Sequence, residues 1–341
     1  MTPGLSLPGL FRRTGPLLVA ALLTGCSSTG PEQPVDQLAD EMSDGITAVM
    51  LAEQQNGVVP RFNQAKTVAC LEAEFLVPDG IEDELKQGIF ARPARYPALL
   101  RLANASERDD SEKDIRGLSI KLRGVEGEVL WGVPGMQDFL FNSYPALFAD
   151  TPETFLAFIK ARQAGKEKQF FLHPARLDSL AIVTKARQQH ASPLDLRYWS
   201  TVPFRFGETT DAVVKYSLTP CSDFSTTSVV DPGPDQLRAA IKSHLRQAPA
   251  CLHFGVQFQK DPQSMPIEDA SVVWDEKTSP FRTVATIRIP DQPFDSPAAL
   301  AQCERVSFNP WQSLKAHEPI GRMNQVRRAI YQRAAVLRDK E

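Results

Sequence analysis

Histidine and tyrosine are scarce, five of each in 341 residues, and nothing around them assembles into a familiar catalytic set. No serine–histidine–aspartate combination, carboxylate pair or phosphate-cradling glycine loop stands out. The cysteines lack a Cys-x-x-Cys or Cys/His spacing that would hold zinc. Charge of one sign is missing as well: 38 basic side chains face 41 acidic ones, a net −3, which argues against nucleic acid as a partner. There is no internal repeat. The apolar run from Leu17 to Leu23 is too short to span a bilayer. What is plentiful is proline, 27 residues, which implies many turns, and a 42% hydrophobic content that can fill a sizeable core.

The short apolar run follows Arg12 and Arg13 and ends in Leu23-Thr24-Gly25-Cys26. A charged n-region, a short h-region and a small-residue cut site describe a secretory signal over residues 1–25. The Leu-Thr-Gly-Cys ending resembles a bacterial lipobox, which implies acylation of Cys26 and a membrane anchor of more than one chain. Ser27 after the cysteine implies the outer membrane, facing the periplasm. Removing the signal leaves 316 residues with 36 basic and 41 acidic side chains, a net −5. In that compartment Cys70, Cys221, Cys251 and Cys303 allow two disulfides in three connectivities, or buried thiols. The spacing does not choose between them.

Residues 27–34 carry no apolar period and read as a flexible tether. Leu38, Met42, Ile46, Val49 and Met50 recur at helical spacing and predict a helix over about 35–55. The expected division is a signal at 1–25, a lipid-anchored tether at 26–45 and a folded domain at 46–341. Alternating or short apolar segments predict strands at 71–77, 115–122, 138–142, 212–218, 252–259 and 284–289. Helices are expected near 152–164, 175–189, 235–247 and 321–339, with 160–200 a helical arm. Strands without strict alternation with helices predict an α+β fold: a closed antiparallel barrel of about eight strands with helices around it.

On the last helix Arg327, Tyr331, Ala334 and Arg338 share one face, at spacings of four, three and four. By spacing alone this is a solvated basic helix with one tyrosine. The residues before it give it another meaning. Ser307-Phe308-Asn309-Pro310-Trp311, then Gly321, then Arg327-x-x-x-Tyr331 with Arg338 seven residues on, resembles the proximal haem segment of catalases. That resemblance implies haem b, with Tyr331 on the iron, Arg327 at its phenolate and Arg338 at a propionate. A phenol of ordinary pKa about 10 must ionise to ligate, and both ferric iron and an adjacent guanidinium favour that.

The likeness extends over most of residues 60–341. Asp114 to Lys121 resembles the family's strand whose arginine, here Arg116, reaches a propionate, and Arg61 stands where a second such arginine is expected. Pro203-Phe204-Arg205-Phe206-Gly207 and Lys215-Tyr216 resemble the short catalase-related branch. Two departures are evident. Asn63-Gln64-Ala65-Lys66 places Gln64 where catalases carry the distal histidine, and glutamine has no pKa usable for a proton shuttle. The distal asparagine is expected near Gly135-Met136, where none stands, and Asn142 reads as off register. His173, His190, His244, His253 and His317 read as surface or packing residues, with His253 the one that strand position could turn inward. Three functions follow: a haem enzyme acting on hydrogen peroxide or organic and lipid hydroperoxides, a non-catalytic haem carrier or sensor, or a lipoprotein scaffold without haem. An oligomer is left open.

Overall fold

Nine strands form a single sheet in the computed structural model, which describes Met1, residues 33–55 and residues 57–339. Cys26 and nearly all of the expected signal segment lie outside the described residues. The strands are β1 (Lys66–Val77), β2 (Ala94–Asn104), β3 (Arg116–Arg123), β4 (Met136–Asn142), β5 (Tyr198–Trp199), β6 (Phe204–Arg205), β7 (Val213–Pro220), β8 (Ala250–Phe258) and β9 (Arg282–Ile289). All named pairings are antiparallel, in the order β5-β4-β3-β2-β1-β9-β8-β7-β6. A further β5–β7 pairing, Tyr198 opposite Leu218, closes eight of them into a barrel and leaves β6 as a flap on β7. Closure leaves those eight strands without a free edge.

Around the barrel lie α1 (Val35–Ala52), α2 (Pro152–Gln163), α3 (Glu167–Leu172), α4 (Leu177–Ala186), α5 (Gln236–Gln247), α6 (Pro297–Arg305) and α7 (Arg322–Asp339). Two begin on the expected local chemistry. Thr151 caps α2 by accepting from the Thr154 amide, and Ser296 caps α6 through the Ala299 amide, each with proline in the first turn. The barrel interior is aromatic. Phe254 stands 5.0 Å from Phe139, 5.3 Å from Tyr216 and 5.4 Å from Phe75, ring centre to ring centre. His317 enters this core and is satisfied there: Ile89 N donates to its Nε2 (3.1 Å), and its Nδ1 meets the Tyr216 hydroxyl (3.0 Å). Burial holds its pKa down at about 3. His253, by contrast, faces solvent rather than the interior.

Several expectations need correction. The tether expected over 26–45 reaches into α1, whose Leu38, Met42 and Ile46 are buried against α7 and α2; the compact unit begins at Gln33. β2 escapes the pattern because Leu100 to Asn104 are buried without interruption, which erases the period of two. The helix expected over 175–189 is shorter, a single turn at Pro174–Arg176 followed by α4. The four cysteines form two disulfides, Cys70–Cys303 and Cys221–Cys251. The first ties α6 to β1; the second joins the ends of β7 and β8.

Candidate functional site

A cavity of about 370 Å³ lies between the outer face of the barrel and the surrounding helices. The barrel contributes Arg101, Ser119, Leu140 and Asn142 to it, and α7 contributes Val326, Arg327, Tyr331 and Arg338. α1 adds Met42, Ile46 and Met50, while Phe155, Phe158, Ile182 and Val183 come from α2 and α4.

Tyr331 is held by a chain of contacts that starts far from it in sequence. Arg327 Nη2 donates to the phenol oxygen at 3.3 Å, and its guanidinium lies 5.3 Å from the ring centre. Arg327 Nη1 donates to Asn324 Oδ1 (2.9 Å). Asn324 is fully buried, and its amide is fixed by donating to the carbonyls of Pro203 (2.8 Å) and Ile320 (2.9 Å). Its own carbonyl accepts from Trp311 Nε1 at 2.8 Å. The Asn309-Pro310-Trp311 turn is braced in its side: the Asn309 amide donates to Asp138, and Trp311 N donates to Asn309 Oδ1. The Pro203 segment and the 307–311 segment therefore both act on Tyr331 through Asn324. The sequence marks both segments but not that residue.

Gln64 forms another part of the wall, and its backbone is unusual. It has φ +61°, a region that non-glycine residues enter rarely. Its amide donates to Ala105 O and Asn63 Oδ1, and Arg101 Nη2 donates to its carbonyl at 2.8 Å. The side chain lies flat over Gly117. A Cβ there would stand 1.8 Å from Gln64 Oε1, so any larger residue must push the Gln64 amide out of this place. Gln64 Nε2 donates to Asn142 Oδ1 at 3.2 Å, while Gln64 Oε1 is buried without a partner. This corrects the reading of Asn142. Asn142 pairs with Gly117 across β3–β4, so its side chain shares the face that Gln64 covers.

The arginines divide. Arg61, Arg101 and Arg338 converge on Glu304 at the end of α6. Arg61 Nη2 donates to the carbonyls of Glu304 (3.0 Å) and Val306 (2.9 Å), with Nε 3.5 Å from the carboxylate. Arg101 Nη2 is 3.8 Å from the same carboxylate, and Arg338 donates to the Glu304 carbonyl. Burial, then the charges of Arg101 and Arg338, push Arg61 down to about 8; burial brings Arg101 to about 10. For Glu304 burial acts upward, and the guanidiniums of Arg101 and Arg61 outweigh it, leaving its pKa lowered. Arg61 and Arg101 thus share one carboxylate, and Arg338 meets the same residue at its backbone carbonyl.

Arg116 is not among them. It follows the strand's alternation: Gly117 and Ser119 face the cavity, so Arg116 shares the opposite face with Leu118 and Ile120. There it is 1% exposed, donating to the carbonyls of Glu112 (2.8 Å) and Asp110 (3.3 Å). The arginine that sequence reasoning missed is Arg101, opposite Ser119 in the β2–β3 register and therefore on the cavity face. Its signal was a charged residue inside the apolar second half of the strand, Ala98 to Ala103.

Chemically, the cavity offers a phenol that can ligate a metal, a guanidinium to stabilise its anion, and a cationic cluster matched to carboxylates. It also offers two neutral amides and a large apolar wall. Among the described residues, no group of three or more His, Cys, Asp or Glu side chains could hold a metal ion.

Neither a protein-family model nor a curated protein matches this sequence. Solved structures do. A fungal catalase superposes with a TM-score of 0.66 at 18% identity, over 86% of this chain and 61% of its own. Catalase A from Saccharomyces cerevisiae gives 0.66 at 18% identity, over 98% of this chain and 68% of its own. A bacterial catalase gives 0.59 at 16% identity, over 95% and 65%. The chain thus spans 61–68% of the length of these catalases, and it has their fold.

Proposed function

We propose that this chain is an exported haem-binding protein that holds haem b in the cavity beside Tyr331 and meets peroxides there. The observation that most supports it is the uneven charge of the wall: the buried guanidiniums of Arg61 and Arg101 share one half-exposed carboxylate, with Tyr331 and its own arginine in the same cavity. Buried cations without counter-charge are costly. A flat cofactor with two carboxylates and a metal that accepts phenolate fits this donor set. Tyr331 would ligate the iron, Arg327 would hold the phenolate ionised, and Arg61, Arg101 and Arg338 would pair with the propionates. The orphaned Gln64 Oε1 also points to a missing partner.

Bound haem supplies the redox chemistry of peroxide cleavage. Elsewhere in the cavity the chain's own contribution is two amides, Gln64 and Asn142, which can orient an oxygen but cannot carry a proton between two of them. Losing a positioned acid/base typically costs about 10²- to 10⁴-fold. The aromatic wall of Phe62, Phe155 and Phe158 suits an apolar organic hydroperoxide better than hydrogen peroxide alone. The same amides favour a second reading, a haem carrier or sensor without turnover. Gln64→His decides between them: a large gain in peroxide turnover marks a carrier that lost its shuttle. An already high native rate on organic hydroperoxides marks an enzyme.

Acylation at Cys26, facing the periplasm and in the outer membrane, is part of the proposal. Intact mass of the exported protein tests it, because a diacylglycerol adduct disappears in Cys26→Ser. The cofactor is tested by titrating haem into purified protein. A Soret band saturating at one equivalent is expected, with affinity weakened at least tenfold in Arg61→Ala/Arg101→Ala. Absence of saturable binding would end the proposal.

A further inference from the structure

The arm between α2 and β5 has a surface that the cavity does not use. α3 buries none of its residues, and α4 buries only Ser179 and Ala186. Leu172 is 69% exposed and Leu177 58% exposed. Just beneath them Phe158, Phe170 and Phe171 pack edge to face at 5.1–5.6 Å where rings cross, all three only half-buried. Exposed apolar area of this kind in a soluble domain marks a contact surface.

Its charge says what kind. Between Lys160 and Arg187 there are seven basic side chains; Lys160, Arg162 and Arg187 pair with Glu41, Glu53 and Glu107, which leaves Lys166, Lys168, Arg176 and Lys185 against Glu167 and Asp178, a formal +2 in a chain whose net charge is −3. Lys166, Lys168 and Lys185 are exposed. On α3, Lys168 and Leu172 are four residues apart and share a face; on α4, Leu177, Ala181 and Lys185 form one exposed strip. Leucines flanked by lysines on short surface helices are the pattern of an element lying in a lipid interface, where apolar burial and attraction to anionic headgroups add.

We propose that α3 and α4 form a membrane-docking face for an anionic bilayer. Leu172 and Leu177 enter the boundary between headgroups and acyl chains, and Lys166, Lys168 and Lys185 meet the lipid phosphates. Ile182 and Val183 of α4, with Phe171 of α3, also line the cavity, so docking sets that wall beside the lipid. Neither haem nor acylation of Cys26 is required. An acidic protein partner or a second copy of the chain would compete for the same surface, and the test separates them.

Hydrogen–deuterium exchange of the full exported protein reads this directly. The protein is compared in detergent, on phosphatidylcholine vesicles and on phosphatidylethanolamine/phosphatidylglycerol vesicles. Exchange over 167–186 is expected to slow at least about tenfold on the anionic vesicles, less on phosphatidylcholine, and not at all in detergent. Leu172→Glu/Leu177→Glu should abolish the protection, and Gln at the three lysines should weaken it about fivefold per residue, converging on the phosphatidylcholine value. The barrel amides in the same map report that each variant is folded. Equal exchange in detergent and on anionic vesicles would overturn the proposal. So would protection that appears in detergent as protein concentration rises, which would assign the face to a second copy.

Discussion

The inside of the barrel and the cavity outside it are built from the same strands, yet they obey opposite rules. Inside, Phe254 touches five aromatic rings at 5.0–5.8 Å, and His317 has both ring nitrogens engaged. Outside, Gln64 Oε1 and Arg61 Nε are buried without hydrogen bonds, and three arginines share one glutamate. The interior is organised by ring packing, although Nε and Nη1 of Arg116, on the inward face of β3, are buried without a partner. The cavity wall is organised by charge, and its orphaned atoms border an open space that a ligand can fill. The border runs along β3, where Leu118 and Ile120 face one way and Gly117 and Ser119 the other.

Four experiments probe that border, beginning with the largest effect. Phe254→Ala removes the hub of the interior and should cost about 3–5 kcal/mol in denaturant unfolding, with no change in the haem spectrum of the folded fraction. Equal damage to haem binding would blur the distinction between the regions. Second, the interior should make the protein acid-sensitive. The His317 pKa falls from 6.5 to about 3 on folding, so the unfolded chain binds the extra proton. Stability is then full above about pH 6.5 and declines as pH drops toward 3, by at most about tenfold in the unfolding constant per pH unit. His317→Asn should flatten that slope between pH 6.5 and 4.

Third, Gly117→Ala forces Gln64 out of its place and should destabilise by about 1–3 kcal/mol. Adding Gln64→Ala should recover most of it, and a double-mutant cycle measures the coupling. Additive losses would mean that Gly117 is needed for something other than Gln64. Last, Glu304→Gln removes the carboxylate that Arg61 and Arg101 share. Glu304 is 45% exposed, so the loss should be only about 1 kcal/mol for the protein without haem, and it should shrink when haem is added. A loss that haem leaves unchanged would contradict the pairing of these arginines with its carboxylates.

Legibility followed the range of the signal. The α7 face was readable because Arg327, Tyr331 and Arg338 sit at fixed offsets on one helix, and the barrel was readable from alternation in β1 and β8. What depends on register was not. Arg116 and Arg101 are both arginines on strands, and only the β2–β3 pairing tells which one faces the cavity. Asn142 was set aside for the same reason, although its pairing with Gly117 brings it to Gln64. Asn324 gave no pattern at all, because its role lies in three contacts made to residues up to 121 positions away. The disulfide partners of Cys70 and Cys251 were equally hidden, since only folding brings 233 residues of chain back on itself.

In the reading proposed above, the Tyr331 phenolate holds an iron porphyrin in the outer cavity. Electronic absorption of purified protein loaded with haem, recorded for wild type and Tyr331→Phe, tests it most directly. A Soret band with the visible features of ferric tyrosinate is expected in the wild type. In the variant those features should vanish while the circular dichroism of the barrel is kept. Identical spectra in the two proteins, or a colourless wild type after loading, would contradict it.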